Sequence, residues 1–126
     1  MNEVGGTSPS IREDRVRRYY ELVDAGDVSG LVKLFDRDAV YHRPGYQPLV
    51  GHAGLERFYR EGRVIEEGRH SVSLLVQQGD DIAVQGSFAG RLRDGRAVEL
   101  RFADFFTFSE ANTFRRRDTF FFTPMV

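Results

Sequence analysis

The stretch Leu100-Arg-Phe-Ala-Asp-Phe-Phe-Thr-Phe108 constrains the fold more than any other in this chain. Its apolar and polar residues interleave as a strand requires, and strand side chains alternate between faces. Leu100, Phe102, Phe106 and Phe108 therefore share one face with Asp104. An ionised carboxylate on an apolar wall is poorly solvated, so Asp104 must hold a proton, find a donor or face a polar cavity. Such perturbed acids favour functional clefts, although an acid that merely ties a sheet together would read the same way.

The rest of the chain supplies what this strand packs against. A length of 126 residues suits one domain with a core of its own. Residues 1–9 are polar and aperiodic and read as a flexible tail, which leaves 10–126 as the folded unit. Ser10 and Glu13 stand at capping-box spacing, and Val16, Tyr19, Tyr20, Leu22 and Val23 fall on one helical face that Gly26 ends. Asp27 caps a second, short helix with Val28, Leu31, Val32, Leu34 and Phe35 on its buried side. Ala39 to Arg43 is a short extended edge piece before Pro44, and Gly51 to Gly62 reads as a third helix with Leu55, Phe58 and Tyr59 inward.

Everything after this helix alternates with period two. His70, Val72, Leu74 and Val76 share one face, and so do Ile82, Val84, Phe88 and Leu92. Arg93-Asp94-Gly95-Arg96 marks a tight hairpin of the two-residue Asp-Gly kind, and Phe114 to Thr123 is the last strand. Helices segregated from strands predict an α+β fold: three N-terminal helices packed in a curved, mainly antiparallel sheet with an interior open at one end.

Composition then removes several functions. A net charge of −1 lacks the electrostatic footprint of a nucleic-acid binder or a membrane-surface protein. No apolar run approaches a membrane span, so a cytoplasmic protein is expected. The absence of cysteine excludes disulfides and thiol catalysis, and His42, His52 and His70 form no metal-ligand spacing. No cofactor motif is present, so neither a metal nor a cofactor is expected. Eleven Phe and five Tyr, mostly at alternating positions late in the chain, are core material first and pocket lining second. The candidates for contact with a small hydrophobic ligand are Tyr41, Phe58, Phe88, Phe102, Phe106 and Phe120.

Arg18-Tyr19-Tyr20-Glu21-Leu22-Val23-Asp24-Ala25-Gly26-Asp27, with Leu34-Phe35, Asp38-Ala39, Pro44, Gly51 and Phe58-Tyr59-Arg60, resembles the opening half of ketosteroid isomerases. Their wider relatives include SnoaL-like polyketide cyclases and epoxide hydrolases, of the nuclear transport factor 2-like fold. The resemblance implies a cone-shaped α+β barrel, and it places Tyr19 at the oxyanion-hole tyrosine and Asp104 at the protonated aspartic acid that assists it. In those isomerases, a well-known case of pKa tuning, an apolar site keeps that acid neutral so that it can donate a hydrogen bond.

One position departs from the pattern. The base expected just before the proline is Arg43 here, and a guanidinium stays protonated and takes no proton at neutral pH. Arg43 is instead expected to hold a carboxylate or enolate, or to pair with Asp104 and make it a base rather than a donor.

On the last strand, strict alternation puts Asp118 with Phe114, Arg116, Phe120 and Phe122, a second carboxylate for the same cavity. Arg117-Asp118 resembles the Arg-Asp-aromatic setting of the epoxide hydrolases, whose second Arg-x-Asp pair falls at Gln85 and Ser87 here.

The resemblance thus implies a cofactor-independent acid–base enzyme acting on a hydrophobic carbonyl or epoxide substrate, of isomerase, polyketide cyclase or epoxide hydrolase type. Its candidate catalytic residues are Tyr19, Arg43, Asp104 and Asp118. The alternatives are a non-catalytic pocket for an apolar ligand and a dimerising interaction module. A homodimer is expected through an outer sheet face carrying Arg101, Phe105, Arg117 and Phe121.

Overall fold

The computed structural model describes residues 10–123, so the expected tail over 1–9 lies outside the described residues. Helix α1, Ile11–Ala25, begins where its cap is: the Ser10 side chain accepts from the Glu13 amide at 3.0 Å. It ends at Gly26, whose left-handed φ of 74° lets its amide return to the carbonyls of Leu22 and Val23. Val16, Tyr19, Tyr20, Leu22 and Val23 form its buried face, and burial stabilises each aliphatic member by roughly 1.5–3 kcal/mol. Asp27 caps α2, Val28–Val32, through the Gly30 amide at 2.9 Å.

The chain turns to strand earlier than predicted. Strand β1 is Phe35–His42, not a short piece from Ala39, and it is no edge: it lies between β2, Leu49–Val50, and the last strand. Phe35 is a buried strand residue and not part of α2. Helix α3 covers Gly51–Arg57 and widens into a π-helical turn, Phe58–Gly62, a feature often found beside functional sites. Leu55, Phe58 and Tyr59 point inward as expected.

Strands β3 (Ile65–Gln78), β4 (Asp81–Leu92), β5 (Ala97–Phe108) and β6 (Phe114–Phe121) form the predicted antiparallel meander. The sheet order is β2-β1-β6-β5-β4-β3, with β1 parallel to β6. Three helices thus pack into one curved six-stranded sheet. No helix among the described residues is long and apolar enough to cross a membrane.

At the β4–β5 hairpin only Gly95 takes a positive φ, 91°, and its amide bonds to the Leu92 carbonyl, so the loop is longer than a two-residue turn. Glycines elsewhere make room both for carbonyl oxygens of β3, 2.4 Å from a Cβ on Gly86 and 2.3 Å from one on Gly90, and for rings. A Cβ on Gly86 would stand 2.8 Å from the Phe102 ring, and one on Gly90 would stand 2.6 Å from the Phe88 ring.

Register shifts interrupt the simple alternation in several places, and two of them decide which side chains face inward. Between Val72 and Leu74 the pairing with β4 slips by one, so Leu75 turns inward while Leu74 and Val76 are exposed. Between Thr107 and Phe108 the pairing with β6 also slips: Phe108 faces Phe114 and Thr107 faces Arg116, which leaves Arg115 over. Beyond that extra residue Arg117, Thr119 and Phe121 point inward, while Arg116, Asp118 and Phe120 point out.

Candidate functional site

Asp104 stands mid-strand between Val84 of β4 and Thr119 of β6, so the α1 face closes over it and leaves it 0% exposed. The wall that reads as apolar in sequence becomes polar at this one height. Arg117 Nη2 donates to Asp104 Oδ2 at 2.8 Å, and the Tyr20 hydroxyl donates to the same oxygen. Thr119 Oγ1 donates to Oδ1 at 2.5 Å. Every hydrogen bond the carboxyl makes is one it accepts. Four lone-pair directions against three donors leave Oδ1 room for one more.

Arg117 is the hub of a second cluster. Its Nη1 donates to the Tyr19 hydroxyl at 2.5 Å and to the Tyr59 hydroxyl at 3.3 Å, and those two hydroxyls bond to each other. Its guanidinium carbon lies 4.5 Å from the ring centres of both Tyr19 and Tyr41. Burial alone would lower the Arg117 pKa, but Asp104 and the surrounding tyrosines push it well above its ordinary value. Burial raises the Tyr19 hydroxyl well above its usual range and raises Tyr59 too, Arg117 opposing it in both. Burial, then the Asp104 charge, does the same to Tyr20. All three hydroxyls therefore keep their protons at neutral pH.

Tyr19 and Tyr59 thus hold two phenolic protons with one acceptor between them. One hydroxyl donates to the other, and among the described residues the remaining proton has no acceptor. On the opposite side a chain of donors has a fixed direction. Arg43 Nη1 donates to the Tyr41 hydroxyl at 3.1 Å, so Tyr41 gives its own proton to Thr119 Oγ1, also at 3.1 Å, and Thr119 gives its proton to Asp104.

Tyr19, Tyr59, Asp104, Thr119 and Arg117 line a cavity walled by Val23, His70, Phe88, Leu100 and Phe102. Its free space is ≈30 Å³, enough for a water or two. Arg43, Arg63, Ile65, Leu100 and Phe121 line both this cavity and a vestibule of ≈490 Å³ that continues along Leu92 and Val98. His70 is held by Asp24, Nδ1 to Oδ1 at 2.7 Å, and burial lowers its pKa. No three His, Asp or Glu side chains converge as a metal site among the described residues.

Of the sequence candidates, Tyr19, Arg43, Asp104, Phe88 and Phe102 line the cavity. Tyr41, Phe58 and Phe106 are buried behind its wall: Tyr41 holds Thr119, Phe58 packs 5.4 Å from the Arg43 guanidinium, and Phe106 lies 5.8 Å from the Tyr19 ring.

Three expectations are corrected. Asp118 does not enter the cavity, because the Arg115 bulge turns it outward to Arg116 at 3.0 Å and His42 at 2.9 Å. Phe120, turned out by the same bulge, is 54% exposed against Phe105. Arg117 and Phe121, expected on the outer face, face inward, and Arg117 takes the Asp104 pairing proposed for Arg43. Tyr20, Tyr59, Thr119 and Arg63 were not among the candidates. The signal for Arg117 was available, since a sealed carboxylate asks for a buried cation.

Known proteins share this architecture. An NTF2-like protein of unknown function from Burkholderia pseudomallei K96243 superposes with a TM-score of 0.82 at 21% identity, covering 90% of this chain and 92% of that one. Another, from Exiguobacterium sp. 255-15, gives 0.77 at 18% identity, with 87% and 99% covered. SalBIII, an epoxide hydrolase/cyclase-like enzyme in pyran ring formation in the polyether salinomycin, gives 0.77 at 21% identity, with 87% and 89% covered. At these identities the likeness shows the NTF2-like fold. The SnoaL-like domain matches residues 16–115, most of the chain, and the protein is accordingly a member of the SnoaL-like family.

Proposed function

We propose that the protein is a cofactor-independent acid–base enzyme acting on a hydrophobic carbonyl or epoxide substrate. The observation that carries this reading is the unspent phenolic proton of the Tyr19–Tyr59 pair, on the same cavity wall as an Asp104 oxygen with one lone pair free. A donor and an acceptor that line one cavity can act on one molecule at once. The tyrosine pair, steadied by Arg117, donates to a carbonyl or epoxide oxygen as negative charge develops there. Asp104 accepts a proton through Oδ1, either from carbon beside a carbonyl or from a water attacking an epoxide carbon. Arg117 and the Arg43–Tyr41–Thr119 chain hold the Asp104 carboxyl in place through the hydrogen bonds it accepts. The likeness to an epoxide hydrolase/cyclase-like enzyme supports the same class of chemistry.

The test is a turnover screen with apolar epoxides, β,γ-unsaturated ketones and β-ketoesters, followed by Asp104→Asn and the double variant Tyr19→Phe/Tyr59→Phe, since either hydroxyl alone would keep a free proton. Asparagine accepts a hydrogen bond but takes no proton, so kcat should fall by roughly 10²–10⁴-fold while ligand affinity is kept. Loss of the phenolic donor should lower kcat by about 10²-fold or more. Ligands that bind without turnover, with affinity altered by Asp104→Asn, would make the cavity a binding pocket instead.

A further inference from the structure

Arg43 and Arg63 stand together at the neck between cavity and vestibule. Among the described residues neither is in any salt bridge. The faces of the Arg43 guanidinium are covered by Phe58 and Phe121, each 5.4 Å from its carbon, and by Tyr46 at 5.8 Å. Its Nη1 is spent on Tyr41, which leaves the Nε–Nη2 edge, and Nε is buried with no partner. That edge is the fork that carboxylates take with two parallel bonds, and a buried donor left unmatched is costly. The Arg63 side chain lies 5.9 Å from the Tyr59 ring and makes no hydrogen bond among the described residues.

The charges around the vestibule do not neutralise this pair. Arg43, Arg63, Arg93 and Arg96 face Glu61 and Asp94, four positive against two negative, in a chain whose net charge is −1. Asp94 is taken by Arg96 at 2.9 Å. The remaining vestibule wall is apolar, from Ile65 and Leu92 to Val98 and Leu100.

We propose that Arg43 and Arg63 clamp the carboxylate of an organic acid whose apolar body lies along Ile65, Leu92, Val98 and Leu100. This rests on the reading of the cavity as the reaction site and names its substrate class: an apolar acid, anchored by its anion at the neck, that presents a carbonyl or epoxide to Asp104 and the tyrosine pair.

The probes are 4-phenylbutyrate, its methyl ester and its primary amide, measured by calorimetric titration against the full chain. The acid should bind roughly ten- to a hundredfold more tightly than the ester or amide, and its advantage should shrink as salt rises. Arg43→Gln and Arg63→Gln should each remove most of that advantage, bringing the acid's affinity down towards that of the ester. Arg43→Lys, which keeps the charge without the fork, guards against a folding defect and should restore only part of it. Equal binding of acid and ester, binding of neither, or an acid preference that survives Arg43→Gln/Arg63→Gln overturns the clamp. Binding here is read without turnover. Arginine-dependent acid binding in a protein that turns over neither the neutral substrates of the screen nor their carboxylic-acid counterparts would sink the catalytic reading alone, while turnover of neutral substrates without acid preference would sink the clamp alone.

Discussion

Replacing Arg117 by methionine isolates what holds the interior together. Methionine keeps most of the volume and removes the cation from beside a carboxylate that is 0% exposed, in a pair whose cation is itself only 4% exposed. Tyr20 and Thr119 still donate to Asp104, so the charge keeps two of its three donors. The Tyr19–Tyr59 hydroxyls lose theirs. Removing one member of a buried ion pair typically costs about 3–5 kcal/mol. For 126 residues each kcal/mol moves Tm by about 4 °C, so the melting temperature should fall by roughly 12–20 °C. The assay is a double-mutant cycle in urea with Asp104→Asn. The neutral amide removes the uncompensated charge, so the double variant should be more stable than the summed single losses by about 2 kcal/mol. The reasoning fails if Arg117→Met costs less than about 1 kcal/mol, or if the two losses add within about 0.5 kcal/mol.

Two further outcomes test the packing and the pH response. Gly90→Ala places a methyl 2.3 Å from the Glu67 carbonyl oxygen of β3 and 2.6 Å from the Phe88 ring that walls the cavity, and overpacking of this kind costs about 1–3 kcal/mol; a variant as stable as the parent would mean that both the β3 backbone and the ring give way freely. Burial lowers the His70 pKa below its ordinary 6.5, against the pull of Asp24, so the folded state favours the neutral ring and the unfolded chain takes up the proton first. This contribution is intact above pH 6.5 and is lost as pH falls through the folded pKa, so Tm should drop on acidification more steeply in the parent than in His70→Gln. Parallel Tm profiles from pH 7.5 to 5 would refute it.

What was legible in the sequence is what neighbouring residues decide among themselves. Ser10, Gly26 and Asp27 mark helix ends through bonds spanning three or four residues, and they act where expected. Asp104 could be placed on the inner wall because five strand positions agree on one face. The opening of strand β1 escaped because Asp36-Arg37-Asp38 is polar at three successive positions, which breaks the alternation a strand shows, and its pairing with β6 comes from the far end of the chain. Arg63 lies just past a π-helical turn, where no period exists to aim it.

The bulge at Arg115 was illegible for a different reason, since nothing in Phe-Arg-Arg-Arg-Asp says which arginine is spare. Charge inside the sheet gives the physical basis for the choice. Without the extra residue, β6 would turn Arg116 and Asp118 inward beside Asp104, two carboxylates against one guanidinium in a space too dry to solvate the difference. With it, Arg117 meets Asp104 at 2.8 Å, Thr119 supplies a hydroxyl to the same carboxylate, and Asp118 goes out to Arg116 and His42. The inner charges cancel and Asp104 gains two donors. An inner carboxylate on β5 thus favours the bulged register of β6, and the bulge brings Arg117 to the Tyr19–Tyr59 pair that the proposed chemistry uses.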